Sequence, residues 1–318
     1  MAIPRICEGE PMPTTTLRFL AKATDVGYGE RIDGGHVLEW VDTAGYACAA
    51  QWSGRYCVTA FIGDIRFTRP IAVGELVEIS ARVAHTGRTS MHIVITVSSG
   101  DPRAGELTRT AQCLAVFIAV DDAGKPVSVP VFTPQTDSER RLQLAAQHRA
   151  DMRADIDVAL AEQEYSDDSS APCAVLRFMA VPTDVNWGGK VHGGKVMRWI
   201  DEAAFLCAAQ WTGGDVVASR INGIRFYRPI VIGNMIEVRA RLIHTSARRL
   251  YISVHVQSSD VRTGVGDVAT YALALFADLD EGGRAMAVRQ WSPVTEEDRR
   301  LDRHAVELVE VLRQTATK

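Results

Sequence analysis

The chain reads as an α+β protein: two tandem copies of one unit, each an antiparallel sheet wrapped around a long central helix. Three observations predict it. The sequence repeats itself at an offset of 159 residues, so that Gly34-Gly35-His36-Val37-Leu38-Glu39-Trp40-Val41-Asp42 returns as Gly193-Gly194-Lys195-Val196-Met197-Arg198-Trp199-Ile200-Asp201. Within that stretch, apolar residues recur at three- and four-residue spacing, the period of a helix with one buried face. After it, the pattern in each copy changes to the two-residue alternation of strands.

The repeat sets the domain organisation. Leu17-Arg18-Phe19 matches Leu176-Arg177-Phe178, Cys48-Ala49-Ala50-Gln51-Trp52 matches Cys207-Ala208-Ala209-Gln210-Trp211, and Arg69-Pro70-Ile71 matches Arg228-Pro229-Ile230. About half of the positions between Leu17 and Thr86 are identical in the second copy without a gap, and copies that similar share one fold. The expected units are 12–135 and 171–291, with a helical linker over 136–170 and a C-terminal helix over 292–318.

Each element of the first copy has its own signal. Thr15 to Ala21 is a short strand. Asp25 to Asp33, with Gly27 and Gly29, is an irregular loop. Gly34 to about Trp52 is the helix, with Val37, Leu38, Val41, Ala44, Gly45 and Cys48 on its apolar face and Ser53-Gly54 ending it. Val58 to Phe67 is rich in β-formers, and Pro70 with Gly74 marks a turn. Leu76 to His85 alternates, with Val77, Ile79, Ala81 and Val83 on one face; Met91 to Ser98 alternates too, and Thr108 to Val120 is long and apolar. Such a sheet needs its helix laid across one face to bury a core. Thr136-Asp137-Ser138-Glu139 carries the spacing of a capped helix start, leading a helix to about Gln163, and Ser166 to Ser170 reads as a flexible linker. A related segment, Ser292 to Glu297, follows the second copy and leads into a helix to about Leu312.

Composition excludes some classes of function. A formal net charge of −4 and a pI of about 6.1 give no bulk electrostatic reason for a nucleic-acid or membrane partner. No apolar run approaches the roughly 18–20 residues of a membrane span. Met1 to Cys7 lacks the apolar core of a signal peptide, and the six scattered cysteines show neither metal-ligand spacing nor a disulfide framework. The expectation is a cytoplasmic protein with reduced thiols, no metal and no cofactor.

The ordered set Val191-His192-Gly193-Gly194, Met197 and Ile200-Asp201-Glu202-Ala203, with Ile32-Asp33-Gly34-Gly35 and Val41-Asp42 in the first copy, resembles the double-hotdog acyl-CoA thioesterases. Phe67-x-Arg69-Pro70-Ile71-x-x-Gly74 and its second-copy counterpart match the same family. The resemblance covers roughly residues 14–145 and 172–305. It implies two tandem hotdog domains, hydrolysis of acyl-CoA to free acid and coenzyme A, coenzyme A as part of the substrate, and a homo-oligomer, a trimer of double-hotdog chains. The sequence departs from the family at Arg31 and Lys190, where a polar Asn or Asp is usual. A non-catalytic acyl-CoA-binding or sensing protein is therefore the alternative function.

Thioester hydrolysis needs a base or nucleophile and donors for the developing oxyanion. Asp42 and Asp201 are the candidates for the first. The glycine pairs at the helix starts, with Gly35 and Gly194, offer exposed backbone N–H groups for the second. Asp42 lies roughly 12 Å along the helix from Gly34 at 1.5 Å per residue, too far to share one carbonyl with its own glycines. Each site is therefore expected to be composite, Asp42 with the 186–194 loop and Asp201 with the 27–35 loop. Asn186 and His192 complete the catalytic set; a loop-structuring role is the competing reading for His192, because Asp33 takes its place in the first copy. The resemblance assigns the coenzyme to Thr86-Gly87-Arg88-Thr89-Ser90, and Arg66, Arg69, Arg225 and Arg228 either hold its phosphates or make structural ion pairs. The second turn reads Thr245-Ser246-Ala247-Arg248-Arg249, so the two sites are expected to be unequal. His85 and His244 read as turn histidines, and Cys48 and Cys207 as core residues.

Overall fold

The structure is a computed structural model that describes residues 14–27, 31–148, 169–186 and 188–317, with side chains through 309. The N-terminal segment and the helix expected from 149 to about 163 lie outside the described residues.

In chain order the first copy comprises β1 (Thr15–Leu20), β2 (Arg31–Ile32), α1 (Gly34–Ser53), β3 (Tyr56–Ile62), β4 (Ile65–Phe67), β5 (Ile71–Ala72), β6 (Leu76–Thr86), β7 (Ser90–Gly100) and β8 (Thr108–Val120), followed by α2, described over 137–148. The second comprises β9 (Cys173–Met179), α3 (Gly193–Thr212), β10 (Asp215–Phe226), β11 (Met235–Ser246), β12 (Arg249–Ser259), β13 (Gly266–Leu279) and α4 (Glu296–Thr317). The main strands form one antiparallel sheet, ordered β1-β6-β7-β8-β3-β10-β13-β12-β11-β9. The copies join edge to edge, Ile62 opposite Ile224 on β3 and β10, and Ile65 opposite Ile221 on β4 and β10. Arg220 clamps the seam with a two-pronged bond to Asp64.

Both central helices lie against this sheet and against each other. Leu38, Val41, Ala44, Cys48 and Ala49 of α1 and Met197, Ile200, Ala203, Cys207 and Ala208 of α3 are buried in one core with the inward faces of the strands. On β6, Val77, Ile79, Ala81 and Val83 are buried and alternate with more exposed residues, as strand geometry requires. α1 sits so close to the sheet that a Cβ on Gly45 would meet the Phe117 ring at 2.6 Å. Gly54 and Gly213 end the two helices at φ 63° and 72°, the left-handed conformation glycine adopts at no steric cost.

Several local expectations change. A 3₁₀ turn (Ala23–Asp25) leads into the 25–33 loop, whose residues 28–30 lie outside the described residues, and near its end the two residues of β2 pair with β5. Gly63 and Asp64 interrupt the expected Val58–Phe67 strand, splitting it into β3 and β4. His85 and His244 lie within β6 and β11 beside register shifts; His85 faces His92 across the ladder, and the His244 Nδ1 lies 2.8 Å from Asp302 of α4. Ser169 and Ser170, the described end of the expected flexible linker, are tied by their hydroxyls to Asp298 at 2.6 and 2.8 Å. The helix start at Thr136 has its reciprocal cap, the Glu139 N–H donating to Thr136 and the Thr136 N–H to the Glu139 carboxylate.

Candidate active site

The two helices cross antiparallel at their glycine pairs. A Cβ on Gly35 would lie 3.0 Å from the Arg198 Cα, and one on Gly194 would lie 2.9 Å from the Glu39 Cα. Only residues without a β-carbon permit this approach. It brings the start of each helix against the middle of the other, where the buried Asp42 and Asp201 sit. The Gly194 N–H donates to Asp42 Oδ2 at 2.8 Å, and the Gly35 N–H donates to Asp201 Oδ2 at 2.9 Å. These amides, expected to hold an oxyanion, instead fix the carboxylate of the opposite copy.

Beyond that shared bond the two sites differ. The Thr59 hydroxyl on β3 donates to Asp42 Oδ1 at 2.6 Å. His192, the N-cap of α3, places Nδ1 3.0 Å from Asp42 Oδ2. Burial opposes the imidazolium, but the hydrogen bond and charge of Asp42, with Glu39, outweigh it and raise His192 above its ordinary pKa. His192 Nδ1 also lies 3.1 Å from the Gly194 nitrogen, whose N–H it can accept, and this leaves the Nε2 edge of the ring for another partner. Asn186 folds its loop around its own side chain, its Oδ1 accepting from the Gly188 and Lys190 N–H groups at 2.9 and 3.1 Å. Asp42, Thr59, Asn186, His192 and Gly193 all line one cavity of about 980 Å³. A Cβ on Gly193 would lie 3.0 Å from both Asp42 Oδ2 and Thr59 Oγ1, so a side chain there would press on both atoms.

Around Asp201 each of these partners is changed. Ala218, opposite Phe276 on the ladder, replaces Thr59, which stands opposite Phe117. Asp33 replaces His192, and Gly27 replaces Asn186. Asp33 caps α1 by accepting from the His36 N–H at 2.6 Å, with the His36 imidazole 3.0 Å away. Asp201 Oδ1 is buried with no hydrogen-bond partner among the described residues. Burial, and next the negative Asp33, push the Asp201 carboxyl up to about 8. Such a group favours folding below its unfolded pKa, and that contribution is lost as pH rises through about 8. The Asp201→Asn variant is therefore expected to gain stability over wild type between about pH 5 and pH 8.5. Urea denaturation at the two pH values checks this, and a pH-independent difference would show that Asp201 titrates as an ordinary carboxylate.

Several of the residues expected to hold the coenzyme make bonds within the protein. The Thr86 hydroxyl accepts from the Phe132 N–H at 2.8 Å, the Arg88 carbonyl from the Val129 N–H at 3.1 Å, and the Thr89 carbonyl from the Ala119 N–H at 3.1 Å. The Gly87 N–H bonds to the Ser90 carbonyl, closing the turn. The 86–90 turn thus pins the tail that follows β8, helped by the Trp52 indole bonding to Pro130. Arg66 pairs with Asp64, and Arg69 is held by both Glu75 oxygens and by Ser99. Arg225 lies over the Tyr227 ring at 5.4 Å. Arg228, at the Asp42 cavity, pairs with the exposed Asp267. Lys190 lines the Asp42 cavity and Arg31 the Asp201 cavity, Arg31 paired with Asp215 at 3.1 Å. Thr59 escaped the sequence analysis; its one signal is the Thr59/Ala218 difference in a strand that the repeat otherwise aligns. Among the described residues no group of His, Cys, Asp and Glu is arranged to hold a metal, and no helix is long and apolar enough to cross a membrane.

Comparison with known proteins bears on this geometry. The family described as "Thioesterase superfamily" matches twice, over residues 32–106 and 188–265, once in each copy. Over 300 residues the chain is 26% identical to the human cytosolic acyl coenzyme A thioester hydrolase, covering 88% of this chain and 78% of that one. A 137-residue stretch, 43% of this chain, is 31% identical to Protein VdlD of Helicobacter pylori and covers 78% of it. Among solved structures, an acyl-ACP thioesterase from Bacteroides thetaiotaomicron superposes with a TM-score of 0.54 at 12% identity, over 83% of this chain and 97% of the other, a likeness of fold alone.

Proposed function

The chain belongs to the thioesterase superfamily as a double-hotdog acyl-CoA thioesterase, and from that premise we propose that hydrolysis runs at one composite site, built on Asp42. The observation that carries this reading is the contrast between the two aspartates. Asp42 has Thr59, His192 and the Gly194 N–H around it. Asp201 keeps only the Gly35 N–H and faces Asp33.

In the proposed reaction Asp42 is the general base. Its Oδ2 accepts from the Gly194 N–H and lies against His192, so the remaining lone pair of Oδ1, beside the Thr59 hydroxyl, takes a proton from water. The water oxygen attacks the thioester carbon. The carbonyl oxygen, now anionic, is met by the His192 Nε2–H and by the start of α3, where the helix dipole favours negative charge. The C–S bond then breaks, the acid is released, and the coenzyme A thiolate recovers the proton from Asp42. The reading needs no cofactor. Its substrate is acyl-CoA, and its assembly a homo-oligomer, a trimer of double-hotdog chains as the resemblance implies.

Release of free thiol from a panel of acyl-CoAs, short to long, tests the reading. Turnover is expected, and Thr59→Ala is expected to lower kcat by about 10- to 100-fold with little change in KM, because the hydroxyl orients the base. Absence of turnover on every chain length, with acyl-CoA still bound, would support the binding-protein alternative.

A further inference from the structure

The cavity around Asp201, about 680 Å³, is separate from the proposed catalytic one and is not degenerate in every respect. We propose that it is a binding site for coenzyme A thioesters that holds the ligand without hydrolysing it, the Asp201 carboxyl gripping the thioester carbonyl and Arg31, Arg248 and Arg249 meeting the phosphates. The proposal rests on the acyl-CoA reading of the Asp42 site, whose architecture this cavity shares through the repeat.

Two independent observations point to a ligand. The first is Asp201 Oδ1, a buried polar atom with no hydrogen-bond partner among the described residues. It borders the cavity beside Gly34, where a Cβ would lie only 3.0 Å from it. A buried group in that state costs stability unless something satisfies it. Held by the Gly35 N–H at Oδ2, a neutral carboxyl presents a single donor at Oδ1, which matches a carbonyl oxygen and not a cation. The second is charge. The turn that reads Thr89-Ser90 in the first copy carries Arg248-Arg249 in the second; both are exposed, both line this cavity, and neither forms an ion pair among the described residues. Arg31 joins them, tethered only to the exposed Asp215. A carbonyl acceptor joined to a polyanionic handle therefore fits the Asp201 cavity. Hydrolysis does not follow, because Ala218 cannot orient a water and a protonated Asp201 cannot accept its proton.

The probe is a 2-oxoalkyl thioether of coenzyme A, which keeps the carbonyl and has no thioester to cleave. Calorimetric titration of the full chain is expected to show two ligands per chain. Asp201→Ala, and independently Ala218→Leu, which fills the cavity wall, are expected to leave one. Asp201→Asn is expected to keep two, since its amide both accepts from Gly35 and donates to the carbonyl. Replacing Arg248 and Arg249 with Ala is expected to weaken one site about tenfold and make it less salt-dependent. One ligand per chain in the wild type, unchanged by Asp201→Ala and Ala218→Leu, would overturn the proposal. Failure of the catalytic reading would look different: no thiol release from any acyl-CoA, with the Asp201-dependent stoichiometry intact.

Discussion

Replacing Asp42 with Asn is expected to lower kcat for thioester hydrolysis by about a thousandfold, the middle of the range for loss of a general base. The substitution is nearly isosteric. The amide oxygen can still accept from the Gly194 N–H, and the helix crossing has no reason to move. What is lost is the ability to take a proton from water beside Thr59, so the fall should appear in kcat and kcat/KM together, with KM little changed. Thiol release under saturating acyl-CoA measures it, with unfolding by urea as the control for folding. A loss below about tenfold would mean that water is activated by another group.

The second large effect is structural. Gly194→Val is expected to destabilise the protein by about 3 kcal/mol, the upper end for overpacking a close contact. Its Cβ would sit 2.9 Å from the Glu39 Cα, and backbone on the facing helix cannot swing away as a side chain can. The same shift would pull the Gly194 N–H from Asp42, so activity should fall along with stability. Gly213→Ala is the control. Its φ of 72° makes the substitution costly by about 1–2 kcal/mol, but nothing lies within 4 Å of the new Cβ and the site is untouched. Urea denaturation of the two variants, with activity measured alongside, separates a helix-crossing clash from a general glycine effect.

Much of this architecture was legible in the residues. The repeat located both central helices because their glycine pairs, apolar spacing and aspartates recur together, and the alternation of Val77, Ile79, Ala81 and Val83 gave the buried face of β6. The composite placement of Asp42 against Gly194 followed from the rise of a helix alone. Other features depend on direction in space, which spacing does not encode. Whether the Gly194 N–H points at a substrate or at a carboxylate is decided by the tilt of α3 across α1. Thr59 sits in a strand of ordinary β-formers, and its hydroxyl acquires meaning only when β3 is placed under Asp42. The 86–90 turn carries hydroxyl and basic residues suited to phosphate, yet several of its polar groups are bonded to the returning tail. The difference between His192 and Asp33 was visible, but its consequence, an Asp201 carboxyl pushed up by burial and next by the charge of Asp33, needs the two groups brought together.

The most direct test of a single hydrolytic site is thiol release by Asp42→Asn and Asp201→Asn measured side by side on one acyl-CoA substrate. The expected result is a loss of more than about a hundredfold in the first and a rate within about threefold of wild type in the second. Equal losses in the two variants would contradict the account, since they would mean that both aspartates serve the chemistry despite Ala218 and Asp33.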